Sequence, residues 1–396
     1  MIMRMEHCLT SWINESRLVT LARDLVRIPS VNPPGRERPV AEYLDRRLKE
    51  WGIETVWIKA PDPRRPQVLA RLRGDGSRPP LFLNGHMDVV PPGDTSRWTF
   101  PPFSGLVQEG RLHGRGSSDM KGGLSVAMEV ARALQLSGSP LAGDLVLTFA
   151  MGEETGEPGT LTLLEASGYR DGFGIVLEPT DLAVCVAEKG LAWFQVTLEG
   201  KPAHASVPEQ GINPIDRFLE LGPLLKKYDE KIRRRNHPLC GPAKCTMTRI
   251  HSGDKENVVP GSLTLTLDRR INPDESVSRV RREVETLLSS VLSIYSAPRV
   301  ELIRVYEPAE ISSRLPQVSA LCHAVEQETG KKAEIQGTPF STDVRHFIHD
   351  LGIPAVAFGP GEMDQPHTVD ESIRVEDLVA ATRVILNVAQ ALILKR

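Results

Sequence analysis

The stretch "DLVLTFAMGEE", residues 144–154, puts the tightest limit on the fold. An unbroken apolar run of strand length, closed by a glycine, reads as a strand buried on both faces. Two adjacent carboxylates, Glu153 and Glu154, stand at its end, and a buried carboxylate is costly unless something pairs with it. Three further runs have the same form: "LFLNG" (81–85) leads into His86 and Asp88, "GIVL" (174–177) into Glu178, and "IPAVAFG" (353–359) precedes His367 in "DQPHTVDE". Helical spacing marks residues 16–28 and 38–51, "KGGLSVAMEVARALQL", and the C-terminal "VEDLVAATRVILNVAQALIL". Strands alternating with helices predict an α/β fold with a mostly parallel sheet and helices on both faces.

The middle of the chain has another pattern. "GLAWFQVTLE" (190–199) and "SLTLTLD" (262–268) alternate as half-buried strands do, with helical stretches between and after them. A small α+β domain is therefore expected as an insertion at 184–296, dividing the larger domain into 1–183 and 297–396. Composition is that of an ordinary globular protein: 396 residues, 40% hydrophobic and 25% charged. A net charge of −3 gives no basic footprint for nucleic acid or an anionic membrane. The N-terminal "MIMRMEHCLTSWI" lacks a signal-peptide core, and no apolar run reaches the length of a spanning helix. Five scattered cysteines (Cys8, Cys185, Cys240, Cys245, Cys322) fit a reducing, cytoplasmic location better than a disulfide framework.

In open α/β sheets, sites form beyond the carboxyl ends of the strands. There this sequence places His86, Asp88, Glu153, Glu154 and Glu178, with His367 after the fourth run; Asp119 stands where the glycine-rich "GRGSSDMKGG" enters a helix. Singly, each is an ordinary solvated acid or hydrogen-bonded histidine. Together they form a donor set for zinc, or for cobalt or manganese. Their number exceeds what one tetrahedral ion needs and suits two ions sharing a carboxylate. Glu154 can then serve as a ligand and Glu153 as a proton acceptor.

The motifs "GHMDVVPPGD", "GRGSSDMKGG", "GEETGEPGT", "LEPT", "KPAHAS", "NVVPG", "LDRR" and "GPGEMDQPHTVDE" resemble those of the M20 metallopeptidases, a family that includes acetylornithine deacetylase, succinyl-diaminopimelate desuccinylase, aminoacylase-1 and glutamate carboxypeptidase. The resemblance runs from about residue 20 to 390. It implies that Asp119 bridges two zinc ions, that His86 and Glu178 complete one site, and that Glu154 and His367 complete the other. It implies that Asp88 orients the His86 ring and that Glu153 is general base and then acid. It further implies a homodimer formed through the inserted lid domain, with His204 of "KPAHAS" steadying the oxyanion in the partner's site. Asn257 and Arg269 (or its neighbour Arg270) would hold substrate. "EKG" (188–190) stands where desuccinylases carry Arg-Arg-Gly, and "GTPFSTD" (337–343) where they carry a "GGTSD" stretch, which departs from a strict desuccinylase; "GPGEMDQPHTVDE" resembles acetylornithine deacetylase-like members and general acylases.

The expectation is a dizinc amidohydrolase of an N-acyl amino acid or a small dipeptide-like amide. Small-peptide carboxypeptidase, dipeptidase and desuccinylase activities are the alternatives within the family. A metal-binding protein without catalysis would not need Glu153, and a dinuclear phosphoesterase would need clustered cations that this sequence lacks near the ligands.

Overall fold

The computed structural model describes residues 9–60, 62–291 and 297–395. The chain forms two compact units: Met1–Val186 with Ile311–Gln336 and Thr342–Arg396, and Ala187–Glu310 with Gly337–Ser341.

The strands Leu145–Ala150, Leu81–His86, Phe173–Val176 and Ala355–Ala357 lie side by side and parallel at the centre of the first unit. Parallel neighbours need long crossovers. The helix Gly122–Ser137 joins the first two in sequence, and Gly159–Ser167 links the second to the third. Every residue of Leu81–His86 and Leu145–Ala150 is buried, as their continuous apolar character requires. Antiparallel strands flank the parallel block. Gln67–Leu72 pairs with Leu145–Ala150, Glu54–Ile58 lies outside it, and Val184–Glu188 meets Ala355–Ala357 through Cys185 and Ala357. The sheet is thus mixed, with the parallel order confined to the strands that lead into the candidate residues.

Helices cover both faces, and strand alternation decides what each residue meets. Asn84 donates to Thr160 of Gly159–Ser167 at 2.9 Å on one face. Gly85 faces the other way, where a Cβ would stand 2.6 Å from Leu124 Cδ2 and 2.8 Å from Met120 Cε. Only glycine lets the helix lie so close to the strand just before His86.

The second unit carries a four-stranded antiparallel sheet in the order Lys244–Ser252, Ser262–Ile271, Gly190–Glu199, Arg299–Tyr306. Its last strand lies beyond residue 296, where the insertion was expected to end. Alternate residues of these strands, among them Phe194, Val196, Leu265 and Leu267, form one core with Leu221 and Leu225 of Pro214–Ile232 and Val280 and Val284 of Val277–Val291. Cys185, Cys240 and Cys245 are buried, Cys322 is partly buried, and Cys8 lies outside the described residues. Among the described residues no helix is long and apolar enough to cross a membrane.

Candidate metal centre

His86 is the last residue of its strand and is buried. Its Nδ1 lies 3.0 Å from the Asp88 carbonyl oxygen, which can only accept. Nδ1 therefore carries a proton, and Nε2 is the ring atom that faces the cluster. Nε2 stands 3.1 Å from Asp119 Oδ1 and 3.8 Å from Glu178 Oε1. The other Asp119 oxygen, Oδ2, stands 3.3 Å from His367 Nε2, which is also 3.1 Å from Glu154 Oε2. His86, Asp119 and Glu154 each offer a ligand atom within 4.8 Å of the others'.

The elements explain the placement. After Ala150 the strand gives way to a single helical turn, Glu153–Thr155, entered through Gly152 at φ 77. Glu153 and Glu154 thus diverge from a turn rather than from a strand end. Asp119 leaves helical geometry at φ −118, ψ 95, just before the helix Gly122–Ser137 begins. His367 has φ 64, a left-handed conformation that costs a side-chain-bearing residue about 1–3 kcal/mol and tends to mark functional loops.

Asp88 has a different task from the expected one. Its carboxylate is 3.6 Å from His86 Nδ1, too far for a hydrogen bond, and the ring is set by its main-chain carbonyl. The carboxylate instead accepts from the backbone N–H groups of Gly152, Glu153 and Glu154 at 3.0, 3.3 and 3.2 Å, and from Asn32 Nδ2 at 2.9 Å. It fastens the turn that carries both glutamates.

The electrostatics are those of cationic charge wanted among acids. Burial pushes Glu178 well above the usual carboxylate range, and it pushes Glu154 up as well. Burial would raise Asp119 too, but hydrogen bonds from His367 and His86 outweigh it and hold the group low. Hydrogen bonds to Asp119 and Glu154 lift His367 to about 10. Glu154 Oε1 is buried without a hydrogen-bond partner, an orphan that a cation would satisfy. The donor set of two imidazoles and three carboxylates fits a metal centre.

Glu153 lies beside this cluster with its side chain 14% exposed. Burial pushes its carboxyl up to about 8, with Asp343 and Glu154 adding to the rise and His86 and Arg345 opposing it. Arg345 Nη1 stands 3.9 Å from Glu153 Oε1, and Arg345 Nη2 stands 3.4 Å from Asp343 Oδ1. Asp343 in turn accepts from Thr160 at 2.6 Å. Arg345 and Asp343 were not singled out in the sequence. Asp343 ends the "GTPFSTD" stretch (337–343), read above only as a departure from the desuccinylase pattern, and Arg345 follows two residues on.

Residues 82–391 match peptidase family M20/M25/M40. The chain belongs to this family. It is an amidohydrolase or peptidase of a metal-dependent group. A succinyl-diaminopimelate desuccinylase 2 of a Ruegeria species is 30% identical over 384 residues, covering 92% of this chain and 92% of that protein. An N-formyl-4-amino-5-aminomethyl-2-methylpyrimidine deformylase of Halalkalibacterium halodurans is 26% identical over 403 residues, covering 94% and 93%. Among solved structures, an M20 metallo-carboxypeptidase of Sulfolobus solfataricus superimposes with a TM-score of 0.79 at 18% identity, covering 94% of this chain and 98% of that one.

The other residues expected of an M20 site belong to the second unit. His204 is exposed, on a two-residue strand paired with Val258–Val259, and the Ala205 N–H donates to the Asn257 carbonyl at 2.9 Å. The Ser206 N–H donates to His204 Nδ1 at 3.1 Å, which makes Nδ1 the acceptor and leaves the proton on Nε2. Arg269 is a correction. It is fully buried, ion-paired with Glu275 at 2.5 Å and close to Tyr228, so its guanidinium is spent inside its own unit and is not available to a substrate carboxylate. Arg270 is the partly exposed neighbour, and its Nε and Nη2 both donate to Asp268, at 2.8 and 2.9 Å.

Proposed function

We propose that the chain removes the acyl group from an N-acyl amino acid or a closely similar small amide, using two zinc ions, with cobalt or manganese as replacements. The observation that carries the two-ion reading is the placement of Asp119, whose two oxygens face different histidines, His86 and His367. In this reading Asp119 would be shared by both ions, His86 and Glu178 would help to hold one, and Glu154 and His367 would help to hold the other. The ions would polarise the amide carbonyl and lower the pKa of the attacking water. Glu153 takes the proton from that water as it attacks and passes it to the departing amine nitrogen. A carboxyl raised by burial is suited to both transfers. The desuccinylase and the deformylase are both named for removal of an acyl group from an amine, which favours the acylase reading over a peptidase.

A homodimer completes the reading. The edge strand Lys244–Ser252 exposes Met247 and Ile250, and the helix Pro214–Ile232 exposes Leu219, an apolar edge suited to pairing with a second copy. His204, with Nε2–H as a donor, would steady the oxyanion of the partner's site, and Asn257 beside it would hold substrate. Cys240 and Cys245, buried and free, support a reducing compartment such as the cytoplasm.

The test is a panel of N-acetyl, N-succinyl and N-formyl amino acids and dipeptides, read by amine release, with and without a chelator. Turnover of an N-acyl amino acid, lost on chelation and restored by zinc or cobalt, is expected. Full turnover in protein shown to hold no metal would reject the metal reading, and turnover of dipeptides alone would reject the acylase.

A further inference from the structure

Glu371 closes the motif "QPHTVDE", four residues after His367, and has no part in the metal binding or proton transfers assigned to this site. Its side chain is fully buried. Four donors converge on its two oxygens. Oε2 accepts from Arg115 Nη1 at 2.6 Å and from the Gly116 N–H at 3.0 Å; Oε1 accepts from the Ser118 and Asp119 N–H groups at 2.9 and 3.0 Å. The Glu371 carbonyl also accepts from the Gly114 N–H at 2.8 Å, and Arg115 is stacked over the Trp98 ring at 5.2 Å.

One carboxylate thus ties the loop that carries Asp119 to the loop that carries His367. The two loops touch elsewhere as well: a Cβ on Gly361 would stand 2.4 Å from Ser118 Oγ. The arrangement repeats that of Asp88, which fastens the Glu153–Glu154 turn through three backbone N–H groups. Backbone donors aimed at a buried anion hold a loop in one geometry, because releasing any of them leaves an unsatisfied group inside the protein.

We propose that Glu371 is a positioning residue, fixing Asp119 relative to His367 so that both Asp119 oxygens are presented to metal. This rests on the two-metal reading of the site. An amide at this position offers one acceptor oxygen to four donors and turns an NH₂ group towards N–H groups, so Glu371→Gln must release part of the loop.

The test uses the full chain, stripped and reloaded with Co²⁺, and reads metal affinity by competition with a chromophoric chelator, the visible cobalt spectrum, and metal-free thermal stability. Glu371→Gln is expected to weaken cobalt binding by about 10–100-fold, the usual effect of losing a ligand's supporting partner, and to alter the spectrum. Glu129→Gln is the control. Glu129 is equally buried and ion-paired with Arg17 at 2.7 Å, on the helix after Asp119 but away from the ligands. It should lose stability while binding cobalt normally. Lower stability in Glu371→Gln with native cobalt affinity and spectrum would overturn the proposal. If that variant does not fold, Glu371→Asp, which draws the charge back by one methylene, is judged by the same criteria. Asp119→Ala separates the two levels. If it too keeps both ions, the metal reading itself fails; if it loses metal while Glu371→Gln does not, only the positioning role is rejected.

Discussion

At the scale of single residues, the site is a set of acids kept from water. Glu153 illustrates the cost. Its folded-state carboxyl stands at about 8, against an ordinary value of 4.5, chiefly because burial disfavours the charged form. A group raised in the folded state contributes nothing below the unfolded value and costs stability as pH climbs through the window between the two. In metal-free protein Glu153→Gln should therefore unfold at a higher temperature than wild type at pH 9 and at nearly the same temperature at pH 4. The same variant, metal-loaded, should lose at least 10²–10⁴ in kcat while holding its metal, since one group serves both proton transfers. Near-native kcat would mean that another residue is the base; an unchanged melting temperature at pH 9 would mean that the carboxyl is better solvated than its burial implies.

At the scale of elements, the edge strand Lys244–Ser252 decides whether a second copy is needed. Met247 and Ile250 are 42% and 49% exposed on it, and an exposed apolar edge invites pairing. Ile250→Lys places a charge there and should shift the protein towards monomer in sedimentation. If His204 serves the partner's site, turnover should fall with the dimer fraction, by up to the 10²–10³-fold that one oxyanion donor contributes. A monomer with undiminished kcat would place the oxyanion donor elsewhere.

At the scale of the whole molecule, the proposed metal centre would be built by the first unit alone, since His86, Asp119, Glu154, Glu178 and His367 all lie within it. Ligand that binds only the folded form stabilises it by about 2.7 kcal/mol at a hundredfold excess over Kd. Chelation should therefore lower the calorimetric transition of the first unit and leave that of the second in place. Equal shifts in both, or none in either, would contradict a centre built by one unit.

The sequence by itself determined the central strands and the side chains that stand beyond their ends. Apolar runs leading into His86, Glu153–Glu154 and Glu178 read as buried strands, and the parallel centre of the sheet sets those strands side by side. It also held a warning about Arg269 that the family motif obscured. "SLTLTLDRRI" buries alternate positions, Leu263, Leu265 and Leu267, and the same period turns Arg269 and Ile271 inward. Tertiary structure alone decided the rest. It assigned the Asp88 carboxylate to backbone N–H groups of Gly152–Glu154, brought Arg345 to Glu153, and set Glu371 against the Asp119 loop 252 residues away. These are contacts between loops, where neither period 2 nor period 3.6 applies, and their distances are set by how the strands are ordered in the sheet rather than by spacing along the chain.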